Sequence, residues 1–116
     1  MNIEWVRRVC LALPHTTEQV QWGHDLVFKI GGKMYAAGPL EAPFDCCLSF
    51  KAAPEEFAEL CERPGIIPAP YMERAQWVAL ENWDALPAGD LKRLIRQSYA
   101  MVFGRLPKKV RDKLSG

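Results

Sequence analysis

The chain has 116 residues, which fits one domain spanning 1–116. Apolar residues make up 49% and charged residues 25%, which excludes disorder, collagen or a coiled coil as a whole-chain reading. The longest apolar run, Val9 to Leu13, is too short to cross a bilayer, and the net charge of +1 divides into +4 from Arg105 to Gly116 and −3 over the rest.

Ile3, Val6, Cys10 and Leu13 recur at helical spacing, so 3–12 is predicted to be a helix capped by Asn2 and stopped at Pro14. Thr17 to Trp22 reads as a strand broken at Gly23. Strands at 26–30 and 34–37 flank Gly31-Gly32-Lys33, where two glycines suit a tight hairpin. Phe28 and Ile30 then share one face, with Val27 and Lys29 on the other. A loop over 39–45 leads to a strand at 46–50. Pro54 suits the first position of a helix running to Glu62, with Glu55 and Glu56 at its positive end. Pro64, Pro68 and Pro70 predict a stiff, irregular loop over 66–70, before a final strand at 76–81. The longest helix is predicted over 89–104, with Leu91, Leu94, Ile95, Ser98, Tyr99 and Val102 inward and Asp90 as N-cap or first-turn acid. A short helix over 108–114 follows Pro107. Hairpins without βαβ alternation point to an α+β fold, an antiparallel sheet with helices on one face.

The chemistry-bearing residues are few. The opening Met1-Asn2-Ile3-Glu4-Trp5 has no basic start with an apolar run behind it, so no signal peptide and a cytoplasmic location are expected. Cys10, Cys46, Cys47 and Cys61 form no Cys-x-x-Cys pair and are expected to be free thiols acting as small hydrophobes. No phosphate-binding glycine loop and no Gly-x-Ser-x-Gly elbow occurs. A dyad of His24 with Cys46 or Cys47 would need two strands to bring the side chains together. A metal set of His15, His24 and Asp25 matches no ligand spacing. Neither an enzyme, a cofactor nor a metal is therefore expected.

Leu13-Pro14, Trp22-Gly23, Val27-Phe28-Lys29, Gly31-Gly32-Lys33-Met34-Tyr35 and Leu48-Ser49-Phe50-Lys51 stand in an order that resembles the MmcQ/YjbR family. Pro64-Gly65, Ile66-Ile67-Pro68, Tyr71-Met72, Trp77, Ser98-Tyr99 and Leu106-Pro107-Lys108-Lys109 continue the resemblance to the tail. It implies a CyaY-like α+β fold described as a double wing of hairpins, for which DNA binding has been suggested. Many members read Asn-Lys-x-His/Arg-Trp after the Met. This chain has Glu73-Arg74-Ala75-Gln76-Trp77, keeping a basic residue and the aromatic. Frataxin shares the fold and binds iron through an acidic first helix. Here Arg7 and Arg8 accompany Glu4, and that role does not carry over.

Two functional expectations follow. In the first, hairpin wings and the basic C-terminus contact DNA phosphates through Lys33, Lys51, Arg74, Lys108, Lys109 and Arg111, with Trp77 stacking or packing beside them. In the second, the Pro-rich loop 66–71 serves protein interaction or binds a small ligand. A basic tail can also serve only the dipole of a helix C-terminus and solubility.

Overall fold

A computed structural model describes residues 1–41, 45–70, 72 and 75–115. The elements in chain order are α1 (Ile3–Leu11), β1 (Thr17–Gln21), β2 (Asp25–Ile30), β3 (Lys33–Pro39), β4 (Leu48–Lys51), α2 (Pro54–Cys61), β5 (Ile66–Pro68), β6 (Trp77–Leu80), α3 (Ala88–Gly104) and α4 (Lys108–Ser115). The strands form one antiparallel sheet in the order β1-β2-β3-β4-β6-β5. The architecture is the α+β one expected, with helices confined to one face.

Alternation along the strands creates two unlike faces. Leu26, Phe28, Ile30, Leu48, Phe50, Val78 and Leu80 pack with Val6 and Cys10 of α1, Leu60 of α2, and Leu91, Leu94 and Ile95 of α3. Val110 and Leu114 of α4 rest on the edge of the same core. The opposite face carries a smaller cluster of Ala69, Trp77 and Ala79, with Met34, Cys46, Ile67 and Met72 around it, and among the described residues no helical one belongs to it.

Local chemistry sets the boundaries. The Asn2 side chain accepts from Trp5 N at 2.8 Å and caps α1. Pro54 opens α2. The α3 helix starts after Pro87, so Asp90 is a first-turn acid, not the cap. The stretch read as an irregular loop holds a strand, β5, paired with β6 from Ile66↔Leu80 to Pro68↔Val78. This strand is at the sheet edge, where the missing N–H of Pro68 removes no inner ladder bond.

Two constraints shape the site. Gly31 and Gly32 (φ 59° and 81°) turn the β2–β3 hairpin, and a Cβ on Gly31 would meet Leu106 Cδ1 at 2.6 Å. The hairpin tip is thus pressed under the α3–α4 turn, bringing Lys33 toward Arg105. The second is a bulge: β2 and β3 shift register after Phe28, and Tyr35 turns into the helical core. Its hydroxyl bonds the Thr16 hydroxyl at 2.9 Å and donates to Cys10 O at 3.4 Å, and its ring meets Tyr99 edge-on at 5.3 Å.

An ion pair ties α1 to β1. Arg7 donates from Nε and Nη2 to the Glu18 carboxylate at 2.9 and 2.7 Å, which holds that carboxyl below its ordinary 4.5. The folded state then binds this proton less readily than the unfolded chain. The pair stabilises fully above about pH 4.5 and loses its effect as pH falls through the lower folded value. In Glu18→Gln, thermal unfolding is accordingly expected at a lower temperature than wild type near pH 6, with the gap closing toward pH 3. A gap constant with pH contradicts this.

Candidate functional site

The helix-free face of the sheet holds a cleft of about 890 Å³. Strand order makes it: the β1–β2 turn, β3, the start of β4 and the segment leading into β6 all border one concavity. Trp22, Met34, Met72 and Trp77 supply its apolar walls, Ala37 and Gly38 line it on β3, and Cys46 and Ser49 add small polar atoms. Asp25, Glu41 and Asp45 bring carboxylates to its lining. Concave, apolar surface with a few polar groups is the general character of small-molecule sites.

Trp22 is 63% exposed and has φ 54°, the left-handed region that a bulky residue avoids. That conformation costs roughly 1–2 kcal/mol for a residue with a Cβ. Strain of this kind is retained where the surroundings over-determine it. Trp22→Asn keeps a residue tolerant of that φ and surrenders little burial. It is expected to raise the unfolding free energy by about 0.5–1 kcal/mol, measured by urea denaturation. A fall in stability contradicts the strain.

A smaller pocket of about 220 Å³ borders the cleft, sharing Met34 and Trp77 with it and adding Lys33, Lys51, Arg105 and Leu106. The sheet opens at Lys51, one of its lining residues. β3 and β4 pair at Ala36↔Phe50 and Ala37↔Ser49, and the same register would next pair Tyr35 with Lys51. Instead Ser98 of α3 stands between them: Lys51 N donates to Ser98 Oγ at 3.0 Å, and Ser98 Oγ donates to Tyr35 O at 2.6 Å. One hydroxyl replaces a direct ladder bond and holds the two strand ends apart. Lys51 is 7% exposed and its Nζ donates to Ala75 O at 2.7 Å. Burial, and then the nearby Arg105, push its pKa down.

The structure gathers some of the residues expected to contact phosphate and separates others. Lys33, Lys51 and Trp77 line the small pocket together. Trp77 is 4% exposed and packs with Ala69 and Ala79, and what surface it keeps faces the two cavities. Arg74 and Tyr71, part of the expectations for the basic patch and the Pro-rich loop, lie outside the described residues. Lys108 and Lys109 are exposed in the first turn of α4, and Arg111 is half-buried on that helix. Cations therefore stand at the positive end of α4, where each costs about 0.3–1 kcal/mol. For Lys108 and Lys109 this overturns the reading of basic residues placed to suit a helix C-terminus; Lys113 alone occupies the last turn. Arg105, Trp22 and Ser98 carry more of the site than the sequence reading assigned them.

The cysteine and histidine chemistry separates too. Cys47 is buried in the helix-side core, with its thiol pushed up to about 11 by burial. Cys46 lines the cleft, and its thiol is raised by burial and by Glu81 and Asp45. His24 Nε2 lies 3.5 Å from Asp25 Oδ1, and the described residues show no hydrogen bond from it to either thiol. His15 stands beyond the far end of β1 from His24, about 17 Å along the strand direction. Among the described residues no three His, Cys, Asp or Glu side chains converge as a metal would need. No helix among them is long and apolar enough to cross a membrane.

The model of the YjbR family matches residues 11–101. The chain is similar to the crystal structure of Deinococcus radiodurans protein DR2400, which carries the DUF419 domain. The two are 32% identical with a TM-score of 0.86 over 98% of this chain and 88% of that one. A crystal structure of a Pseudomonas syringae protein is 24% identical, covering 87% of this chain and 98% of that one, with a TM-score of 0.68. That likeness shows the fold alone. No curated protein matches the chain.

Proposed function

The chain belongs to the YjbR family, and on that footing we propose that it is a binding module which takes a small molecule with a flat apolar body into the cleft on the open face of its sheet. The observation that carries the reading is the cleft itself, about 890 Å³ between Trp22, Met34, Met72 and Trp77, on the sheet face that no helix covers among the described residues. Ala69 and Pro70 line it, so part of the segment expected to serve as a Pro-rich binding loop borders it.

We read the cleft as a site for binding, not catalysis. Its thiol, Cys46, is held in the neutral form by burial and neighbouring carboxylates, the reverse of what a nucleophile needs. Its histidine faces the Asp25 carboxylate, and among the described residues it has no hydrogen bond to a hydroxyl or thiol.

Cys46 gives a direct test with 2-naphthamide as probe. At a probe concentration about five times Kd, alkylation of Cys46 should slow about sixfold, because only the free protein reacts. Cys61, outside the cleft, should react at its usual rate. Unchanged Cys46 reactivity at saturating probe overturns the reading.

Nucleic-acid binding is the second reading, and it is favoured by the placement of Lys108 and Lys109 against the dipole of α4. An anion such as a DNA phosphate would offset that repulsion, and Lys33 is exposed nearby. Contact with three to five phosphates predicts that duplex affinity falls about 40- to 500-fold between 50 and 200 mM salt. A salt slope lower by about two in Lys108→Ala/Lys109→Ala than in wild type would support it. The acidic lining of the larger cleft favours the small-molecule reading over it.

A further inference from the structure

We infer that the small pocket at the α3–α4 end of the cleft seats an acidic group, so that the ligand class is a flat apolar body bearing one anion. This rests on the cleft reading above and goes further by fixing the charge and direction of the ligand. Three cations, Lys33, Lys51 and Arg105, converge on a pocket of about 220 Å³. Among the described residues no carboxylate pairs with any of them. Lys51 is the informative one. A lysine 7% exposed is rarely left without a counter-charge. It gives one proton to Ala75 O, and its ammonium has two more to donate. The opening held by Ser98 keeps β4 from closing onto β3 at this point, beside Met34 and Lys33.

Charge sets the direction. Asp25, Glu41 and Asp45 stand along the larger cleft and repel an acid there, while the Lys51 end attracts it. Met34 and Trp77 belong to both cavities. An apolar body against those two side chains therefore lies beside the basic pocket, and its acid is directed toward Lys51 and Arg105.

The experiment is calorimetric titration of the protein with 2-naphthoate and with 2-naphthamide, which share a body and differ in charge. The acid is expected to bind at least about tenfold more tightly than the amide, as a charge-assisted contact with a buried cation implies. Lys51→Met, and separately Arg105→Gln at an exposed position, should each bring naphthoate close to the affinity of the amide. Lys92→Gln, exposed on α3 away from both cavities, should leave the preference intact. Equal binding of acid and amide overturns the acidic seat while the cleft stands. So does a preference for the acid that survives both variants. Failure of both probes to bind removes the cleft reading and this inference with it.

Discussion

Ser98→Ala is expected to lower the unfolding free energy by about 2–4 kcal/mol, because it leaves two buried backbone groups without partners at about 1–3 kcal/mol each. The groups are Lys51 N–H and Tyr35 C=O, bridged by the Ser98 hydroxyl where the β3–β4 ladder stops. Ser98 has no exposed surface, so water does not readily take its place. Alanine is the better helix former, which offsets a few tenths of a kcal/mol. For a domain of this size the loss corresponds to roughly 10–15 °C in Tm. Calorimetric unfolding measures it. A loss below about 0.5 kcal/mol would mean that Lys51 N–H and Tyr35 C=O meet directly once the hydroxyl is gone.

Gly38→Ala is expected to destabilise by about 2–3 kcal/mol, at the upper end for an added methyl in a packed site. Its Cβ would lie 2.7 Å from Cys47 O and 3.4 Å from Ile3 Cδ1. The first contact is backbone and has little freedom to retreat, since Cys47 N donates to Leu80 O at 2.8 Å. Relief would pull the start of β4 from β6 or push β3 outward, and either deforms the cleft that Gly38 lines. Gly89→Ala gives the contrast. That glycine is in the first turn of α3 with nothing within 4 Å of a built Cβ, so the change should raise stability by up to about 1 kcal/mol. Equal effects of the two substitutions would contradict the close approach at Gly38.

Much of the fold is legible from periodicity and turn chemistry. The Asn2 cap, the Pro54 start, the Gly31-Gly32 hairpin and the inward stripe of α3 each depend on neighbours a few residues away, and those interactions are local. β5 was not legible, because Pro64, Pro68 and Pro70 read as breakers unless the strand is known to be at an edge. The cleft was less legible still. It exists because the order β1-β2-β3-β4-β6-β5 brings Trp22, Met34, Cys46 and Trp77 to one face from four separate stretches of chain.

The candidate residues divide in the same way. Lys33 and Lys51 were singled out for their charge beside a hairpin and a strand end, and they do share a pocket. Arg105 was counted in the basic tail, but its approach to Lys51 follows from the α3–α4 turn sitting on the hairpin tip. Ser98 read as one more inward position of α3, since only the register of β3 against β4 shows a hydroxyl standing where a ladder bond would be. The exposed tryptophan could not be chosen by composition: Trp77 packs, and Trp22 is the one displayed.

The four tryptophans give the most direct test of the binding cleft. Trp22 and Trp77 line it, whereas Trp5 and Trp83 pack against the helix-side core. The four indole N–H signals of the 15N-labelled protein should be followed by NMR while 2-naphthamide is added to about 1 mM, a concentration that detects binding as weak as about −4 kcal/mol. Saturable shifts of the Trp22 and Trp77 signals, with Trp5 and Trp83 unmoved, are the predicted result. Four unmoved signals, or shifts led by Trp5 and Trp83, would contradict a ligand site on the open face of the sheet.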